Sequence, residues 1–283
     1  MSHGAWLPVH QWNGLTPEQR HAALVHASDL RAASSSDRVY ALTSAAAVWG
    51  LPRIEPWPTT VHVLAAHPSA RGSRLVRPHV GAPARQVVRR GLRVTSAERT
   101  VVDLARTGSL VTAVAAADHA LRYGLCTAEQ LADEVAAVPA GTRGRRRCAL
   151  VRDLADGDSM SPGESLSRVQ MFRLNVPRPT LQGKREDAQG LIGYVDFEWV
   201  HAVGEFDGRV KYQVADGTDP QEAAEVLWAE KRREDRLRRQ ADVGRWGWTE
   251  ASHPERLRPV LADIGVHGSP RSSWFDLGAA KAG

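Results

Sequence analysis

The segment that most constrains the fold runs from Val195 to Tyr212 and reads VDFEWVHAVGEFDGRVKY. Its acidic side chains are separated by large apolar residues, and Gly204 and Gly208 interrupt the run. This pattern predicts a strand, a turn and a second strand that packs on a hydrophobic core through at least one face. Carboxylates that converge in a site of low dielectric repel one another, so such a group requires a cation or a proton between its members.

Four charged residues of this segment are candidates for a catalytic site. Glu205 and Asp207 point to the same face of a strand, because side chains alternate along it. A turn near residues 200–202 would place Asp196 beside Glu205. Carboxylates suit Mg²⁺, with Mn²⁺ as the alternative, and a metal held by Asp196 and Glu205 would serve phosphodiester hydrolysis while Lys211 stabilises charge on the phosphate. The alternative is an exposed hairpin with ordinary ion pairs.

Glu164 is the candidate acid that comes from a helix. The run SPGE at residues 161–164 predicts a helix start, with Ser161 as N-cap and Glu164 completing a capping box. That local role is a sufficient reason for a glutamate here. The second interpretation is that its carboxylate reaches over the sheet as a further ligand.

Bulk properties exclude some classes of protein. The chain has 283 residues, of which 42% are hydrophobic and 24% charged, as in a folded protein with a substantial core. No apolar run has membrane-spanning length and no signal peptide is recognisable, so we expect no membrane association and a cytoplasmic location. Cys126 and Cys148 match no metal motif and no disulfide framework. The formal net charge of +5 favours a polyanionic partner such as DNA.

The order of predicted elements indicates an α/β protein of two domains. Strands followed by helices make residues 1–147 an α+β domain, with capping boxes at Thr16 and Thr127 and one strand over 86–94. Residues 139–147 combine a proline, glycines and arginines, so the boundary is predicted there. Residues 148–283 are predicted to form a mixed sheet flanked by helices, with a last strand over 243–249.

A basic run closes the long helix predicted from Pro220 to Gln240. Lys231, Arg232 and Arg236 are candidates for contacts with a nucleic-acid backbone, which would contribute affinity without sequence reading. The alternative is that ion pairs within the helix account for most of these charges.

Four segments together resemble a known group of nucleases: SPGES (161–165), YVDF (194–197), EFDGRVKY (205–212) and EKRREDR (230–236). They are similar to the very-short-patch-repair-like PD-(D/E)xK endonuclease domains of actinobacterial proteins, which implies a restriction-endonuclease-like mixed sheet. The resemblance makes Asp196 and Glu205 the metal-binding acids and Glu164 the acid contributed by the helix. The nuclease signature has a lysine where this chain has Asp207, so Lys211 would act in its place.

The upstream segments SAAAVWGLP (44–52) and TSAERTVVDL (95–104) resemble AbiEi-type antitoxins of type IV toxin–antitoxin systems. Those proteins usually begin with a winged helix-turn-helix, and this chain is expected to start after it. The two resemblances imply two alternative functions: a metal-dependent endonuclease acting on DNA, or a non-catalytic antitoxin-like regulator that binds DNA or a cognate toxin. Convergence of Asp196 with Glu205 would favour the first, and arginines bound to both acids would favour the second.

Overall fold

A computed structural model describes residues 5–32, 38–65, 72–80, 85–208, 220–270 and 273–275. The chain divides between Gly157 and Asp158 into two compact units. The fold is α/β with two mixed sheets, and this predicted class is confirmed. Within the described ranges, none of the helices combines the length and the apolar character that crossing a bilayer requires.

The elements of the N-terminal unit, in chain order, are α1 (Val9–Gly14), α2 (Pro17–Leu30), β1 (Val39–Tyr40), α3 (Leu42–Trp49), β2 (Val61–Ala65), β3 (Val76–Val80), β4 (Gln86–Arg89), β5 (Leu92–Thr95), α4 (Ala97–Thr107), α5 (Leu110–Arg122), α6 (Ala128–Ala136) and α7 (Arg145–Leu154).

The sheet of the N-terminal unit has the strand order β3-β2-β1-β5-β4. Strands β2 and β3 are parallel, as are β1 and β5, whereas β1–β2 and β4–β5 are antiparallel. Helix α2 covers this sheet, and its Val25 is buried together with Tyr40 and Val94. The predicted capping boxes are confirmed at Thr16 and Thr127, whose hydroxyls each accept a hydrogen bond from the backbone N–H three residues on.

Two expectations for this unit are corrected. The strand predicted over 86–94 is a hairpin, because Arg90 (φ 51°) and Gly91 (φ 76°) form a tight turn with both residues in the left-handed region. The boundary predicted at 147/148 falls within α7. Cys148, Val151 and Leu154 of this helix are buried in the N-terminal unit, so the division comes after α7. The arginine-rich run at this point has the composition of a linker but supplies the first turn of α7.

The elements of the C-terminal unit, in chain order, are α8 (Pro162–Arg173), β6 (Thr180–Asp187), β7 (Gly190–Glu198), β8 (Ala202–Phe206), α9 (Pro220–Arg238), β9 (Asp242–Trp246), α10 (Trp248–Ala251) and α11 (Pro254–Asp263).

The C-terminal sheet has the order β6-β7-β8-β9 and its first three strands are antiparallel. Strand β9 is parallel to β8, a connection that requires a crossover, and α9 lies in that crossover. The buried ring of Phe197 stacks on Trp246, with centroids 5.4 Å apart. On another part of the sheet, Val195 and Val203 are buried with Leu237 of α9.

The predicted last strand is shorter than expected. It ends at Trp246, and α10 begins at Trp248 after Gly247. Alternation along a continuous strand predicts both tryptophans in the core. Trp246 is there, with 3% of its surface exposed, but Trp248 is 40% exposed, since the alternation of a strand no longer applies to it.

The first turn of α8 lies close to the end of β8. A Cβ atom built on Gly163 would lie 2.0 Å from the ring of Phe206, a distance that no packing tolerates. Glycine at position 163 is therefore what allows this close approach, and with it the position of Glu164 over the sheet.

We predict that Gly163→Ala lowers the free energy of unfolding by about 1–3 kcal/mol, because the methyl group must displace Phe206 or α8. Thermal unfolding of the full chain measures the effect. Gly14→Ala is the matched control: nothing lies within 4 Å of a Cβ at Gly14, so its Tm should equal or slightly exceed that of the wild type. Equal Tm values for the two variants would contradict the close approach.

Candidate functional site

Glu164 lies in the first turn of α8 and is 5% exposed. The hydroxyl of Ser161 accepts a hydrogen bond from the Glu164 N–H at 3.2 Å, so Ser161 is the N-cap as predicted. The other half of the predicted capping box, a bond from the N–H of Ser161 to the Glu164 side chain, is not formed, and the carboxylate has different partners. Its Oε2 accepts from the N–H of Met160 at 2.8 Å and from the side-chain amide of Gln182 at 3.2 Å. The acid is thus directed towards the sheet.

Asp196, near the end of β7, lies beside Glu164. Its Oδ2 accepts from the N–H of Phe206 at 2.8 Å, and its Oδ1 lies 3.5 Å from Nε2 of Gln182. The same Gln182 nitrogen donates to Glu164, so one amide joins the two carboxylates. The structure therefore brings together two of the acids predicted from the sequence, one from α8 and one from β7.

The proximity of these acids changes the proton affinity of Glu164. Burial and, second, the negative charge of Asp196 raise the pKa of Glu164 to about 7. The bonds from Met160, Ser161 and Gln182 act in the opposite direction but do not offset the burial. All three of these donors are uncharged. Among these contacts, therefore, no positive charge balances the ionised carboxylate of Glu164.

Gln182 is a site residue that the sequence did not indicate. It lies in β6, where the neighbouring residues Leu181 and Gly183 pair with Phe197 and Val195 on either side of Asp196. Its φ of 51° is left-handed, an uncommon conformation for glutamine, and such strain is often found at functional sites. A lone glutamine between Leu181 and Gly183 gives no sequence signal, because neither its φ nor its bonding partners can be inferred from its neighbours.

Glu205 has different partners. Its Oε1 accepts from Arg233 of α9 at 2.6 Å, and its Oε2 pairs with Arg245 of β9 at 2.9 Å. Both guanidinium groups also pair with Glu230. Both carboxylate oxygens of Glu205 are therefore bound by cations. The predicted Asp196–Glu205 metal pair is not the arrangement found: Asp196 is joined to Glu164 through Gln182, and Glu205 belongs to an ion-pair network.

The reason for this difference is that charges on separate elements compete for the same acid. Glu205 and Arg245 are opposite one another in the parallel β8–β9 pair, which the sequence alone could not show. Within the described ranges, no group of three or more His, Cys, Asp or Glu side chains has the arrangement of a metal site.

Of the two remaining predicted catalytic residues, the structure describes Asp207. Asp207 follows β8 directly, is partly buried, and donates its N–H to the carbonyl of Trp246 at 2.8 Å. Lys211 lies outside the described residues. Its assignment as the cation beside the phosphate stays a prediction.

The three basic residues predicted to bind nucleic acid differ in their surroundings. Lys231 and Arg232 are exposed on α9, and the ammonium of Lys231 lies 5.4 Å from the ring centre of Trp228. Arg236 instead makes two hydrogen bonds to Asp187, at 2.8 and 2.5 Å, and one to the carbonyl of Gly190 at 2.9 Å. Hydrogen bonds from Arg236 lower the pKa of Asp187 to about 2. Arg236 therefore holds the β6–β7 turn, and binding a phosphate would require it to release Asp187.

We predict that Glu205→Gln destabilises the protein by about 1–2 kcal/mol, because it leaves two partly buried guanidinium groups without one of their acceptors. Chemical denaturation measures the change. Glu186→Gln, which removes an exposed partner of the exposed Lys184, serves as the control and should cost less than about 0.5 kcal/mol. A Glu205 variant no less stable than the Glu186 variant would contradict the ion-pair role.

The raised pKa of Glu164 predicts a defined pH dependence. Because the folded protein binds this proton more tightly than the unfolded chain, with a pKa of about 7 against an ordinary value of 4.5, stability falls as pH rises between these values. The loss attributable to Glu164 is at most about 3 kcal/mol. We therefore expect the unfolding free energy of the wild type, relative to that of Glu164→Gln, to fall as the pH rises from 4.5 to 7.5. A difference between the two proteins that does not change with pH would contradict the raised pKa.

Comparison with known proteins gives relatives but no assigned activity. No family model matches the chain, and no solved structure matches it. Two uncharacterized proteins of Mycobacterium tuberculosis, MT2308 of strain CDC 1551 / Oshkosh and Rv2248 of strain ATCC 25618 / H37Rv, are each 30% identical over 200 residues. The matched region is 68% of this chain and 69% of each relative. The chain therefore belongs to the same family as these uncharacterized mycobacterial proteins.

Proposed function

We propose that the C-terminal unit is a metal-dependent nuclease domain that hydrolyses phosphodiester bonds of DNA, with Glu164 and Asp196 as its essential acids. One observation carries the proposal: two carboxylates from separate elements share a single amide donor, and the pKa of the buried one is raised to about 7. Perturbed acids of this kind are concentrated at functional sites.

The residues present fit a hard divalent cation. Mg²⁺ prefers oxygen ligands and is usually held by one or two carboxylates, with waters and substrate phosphates completing its shell. Glu164 and Asp196 supply such a pair. Burial and, second, the charge of Asp196 raise the pKa of Glu164, and a bound cation would offset both costs of ionising it. Glu205 does not fit as a ligand, because Arg233 and Arg245 bind its two oxygens. Mn²⁺ is the alternative ion.

When bound, the metal would polarise the phosphodiester and lower the pKa of an attacking water. The chain's own residues orient the acids. Gln182 fixes the separation of the two carboxylates, and the N–H groups of Met160 and Phe206 each hold one further oxygen. Protonation of Glu164 at neutral pH competes with metal binding, so metal affinity should increase with pH.

Two further features support a nucleic-acid substrate. Lys231 and Arg232 are exposed and would contact phosphates without reading sequence, and in the proposed role Lys211 stabilises charge on the scissile phosphate. The mixed sheet β6-β7-β8-β9, with α8 before it and α9 in the crossover, is the arrangement that the resemblance to PD-(D/E)xK endonucleases implies. A cytoplasmic location, as the sequence predicts, would give access to both DNA and Mg²⁺.

A second function is favoured by the ion pairs of Glu205. An acid expected to bind metal is neutralised by Arg233 and Arg245, as in a nuclease scaffold retained for binding alone. In this second proposal the protein is an AbiEi-like antitoxin or transcriptional regulator, and its partner is DNA or a cognate toxin. The two proposals differ in whether Asp196 is required for turnover.

The test uses purified full-length protein with plasmid and single-stranded DNA in Mg²⁺, Mn²⁺ or EDTA. We expect cleavage by the wild type in Mg²⁺ or Mn²⁺, and a loss of roughly 100-fold or more in Asp196→Asn and Glu164→Gln, because each removes one of the two acids. Glu205→Gln is the matched control: it also removes a carboxylate of the unit but should retain cleavage.

Two outcomes would decide against catalysis at this pair. Equal cleavage by wild type and Asp196→Asn would identify a contaminating nuclease. DNA binding without cleavage of any substrate would favour the regulator.

A separate outcome concerns the choice of metal ligands. Loss of cleavage in Glu205→Gln, with the fold intact, would return Glu205 to the set of metal ligands.

A further inference from the structure

The N-terminal unit contains a cavity of about 160 Å³ between the last turns of α2 and the starts of β2 and β3. One water molecule occupies about 30 Å³ in the liquid, so the cavity has room for a polyatomic ion with some of its hydration shell. The residues that line it belong to the N-terminal unit, so its chemistry is independent of the proposed nuclease activity.

The charged side chains that line the cavity are all positive in the described part of the chain. They are those of Arg31 and Arg38. Arg31 follows α2 directly, and a cation at a helix C-terminus is explained by the helix dipole. That explanation does not extend to Arg38, which precedes β1. Arg38 is oriented by Ser28, whose carbonyl and hydroxyl oxygens accept from the same guanidinium nitrogen at 3.1 and 3.3 Å.

Hydroxyl groups add further donors. Ser28, Thr59 and Ser73 line the cavity beside the two arginines. The oxygen of Ser73 accepts from the N–H groups of Leu75 and Val76, at 3.3 and 3.1 Å, which leaves its hydrogen to be donated. The hydroxyl of Ser28 accepts from Arg38 and is also hydrogen-bonded to Tyr40, so Ser28 orients Arg38 and is not counted among the available donors. The cavity thus offers more donors than acceptors.

We propose that this cavity binds a phosphoryl group, either free phosphate or the terminal phosphate of a nucleotide or oligonucleotide. A phosphoryl group presents three or more acceptor oxygens and up to two negative charges, which matches guanidinium groups from two segments together with the hydroxyl donors of Thr59 and Ser73. A carboxylate has two oxygens and one charge and would leave part of this donor set unused.

The experiment titrates the full-length protein with inorganic phosphate at constant ionic strength, with chloride as the reference anion, and follows Tm and heat of binding. Phosphate should raise Tm and chloride should not. Arg31→Gln, a change at an exposed residue, and the isosteric Thr59→Val should each weaken phosphate binding, by roughly tenfold for Arg31→Gln because a charged hydrogen bond is lost. Arg146→Gln is the control, since Arg146 is exposed on α7 and does not line the cavity.

A pair of oligonucleotides with and without a 5′-phosphate separates the two sources. Tighter binding of the phosphorylated strand, lost in Arg31→Gln, identifies a nucleic-acid terminus, whereas phosphate binding with no difference between the strands identifies the free ion. Equal Tm shifts by phosphate and chloride, or phosphate affinity unchanged in both Arg31→Gln and Thr59→Val, would overturn the proposal. The Tm of each variant without ligand shows whether it is folded.

Discussion

The hydrogen bonds from one amide nitrogen of Gln182 to Glu164 and Asp196 are the contact on which the candidate site depends. They join α8, β6 and β7, and they hold together two carboxyl groups, of which that of Glu164 is buried and that of Asp196 partly buried. Such an arrangement is unfavourable unless a proton or a cation compensates it. The raised pKa of Glu164 is the expression of that cost. Gly163 allows the approach of α8 that makes the contact geometrically feasible.

The acids of the C-terminal unit experience two different environments. Glu205 is bound by Arg233 and Arg245, so its charge is compensated within the protein. The carboxylate of Glu164 receives hydrogen bonds from uncharged donors, the N–H of Met160 and the amide of Gln182. An acid paired with arginine stabilises a fold, whereas an acid held by neutral donors beside another acid retains the capacity to bind a cation or a proton. This contrast is why the proposed metal-binding role moves from Glu205 to Glu164.

Much of the fold was predictable because it depends on local chemistry. Side-chain caps at Thr16 and Thr127, alternation of apolar residues in β7, and the long charged helix α9 depend on residues close in sequence. The errors arose where local signals have two meanings. The arginine-rich run before Cys148 has the composition of a linker but begins a buried helix. The pair Arg90–Gly91 lies inside the segment predicted as one strand but adopts a left-handed turn. For the candidate site, the sequence indicates Glu164 and Asp196, which the structure brings together, but gives no signal for Gln182.

The sequence by itself determined the α/β class and the division into two units. It also determined which acidic and basic side chains are available to form a site. Only the tertiary structure decided which of these charges meet. Side-chain spacing along a strand shows which residues share a face, but not which cation from another element reaches that face. Arg245 lies opposite Glu205 through the register of a parallel pair, and Gln182 lies beside Asp196 through that of an antiparallel one. Both are contacts between segments distant in sequence, and both are set by backbone pairing. For that reason, the residues of the candidate site could be identified only from the tertiary structure.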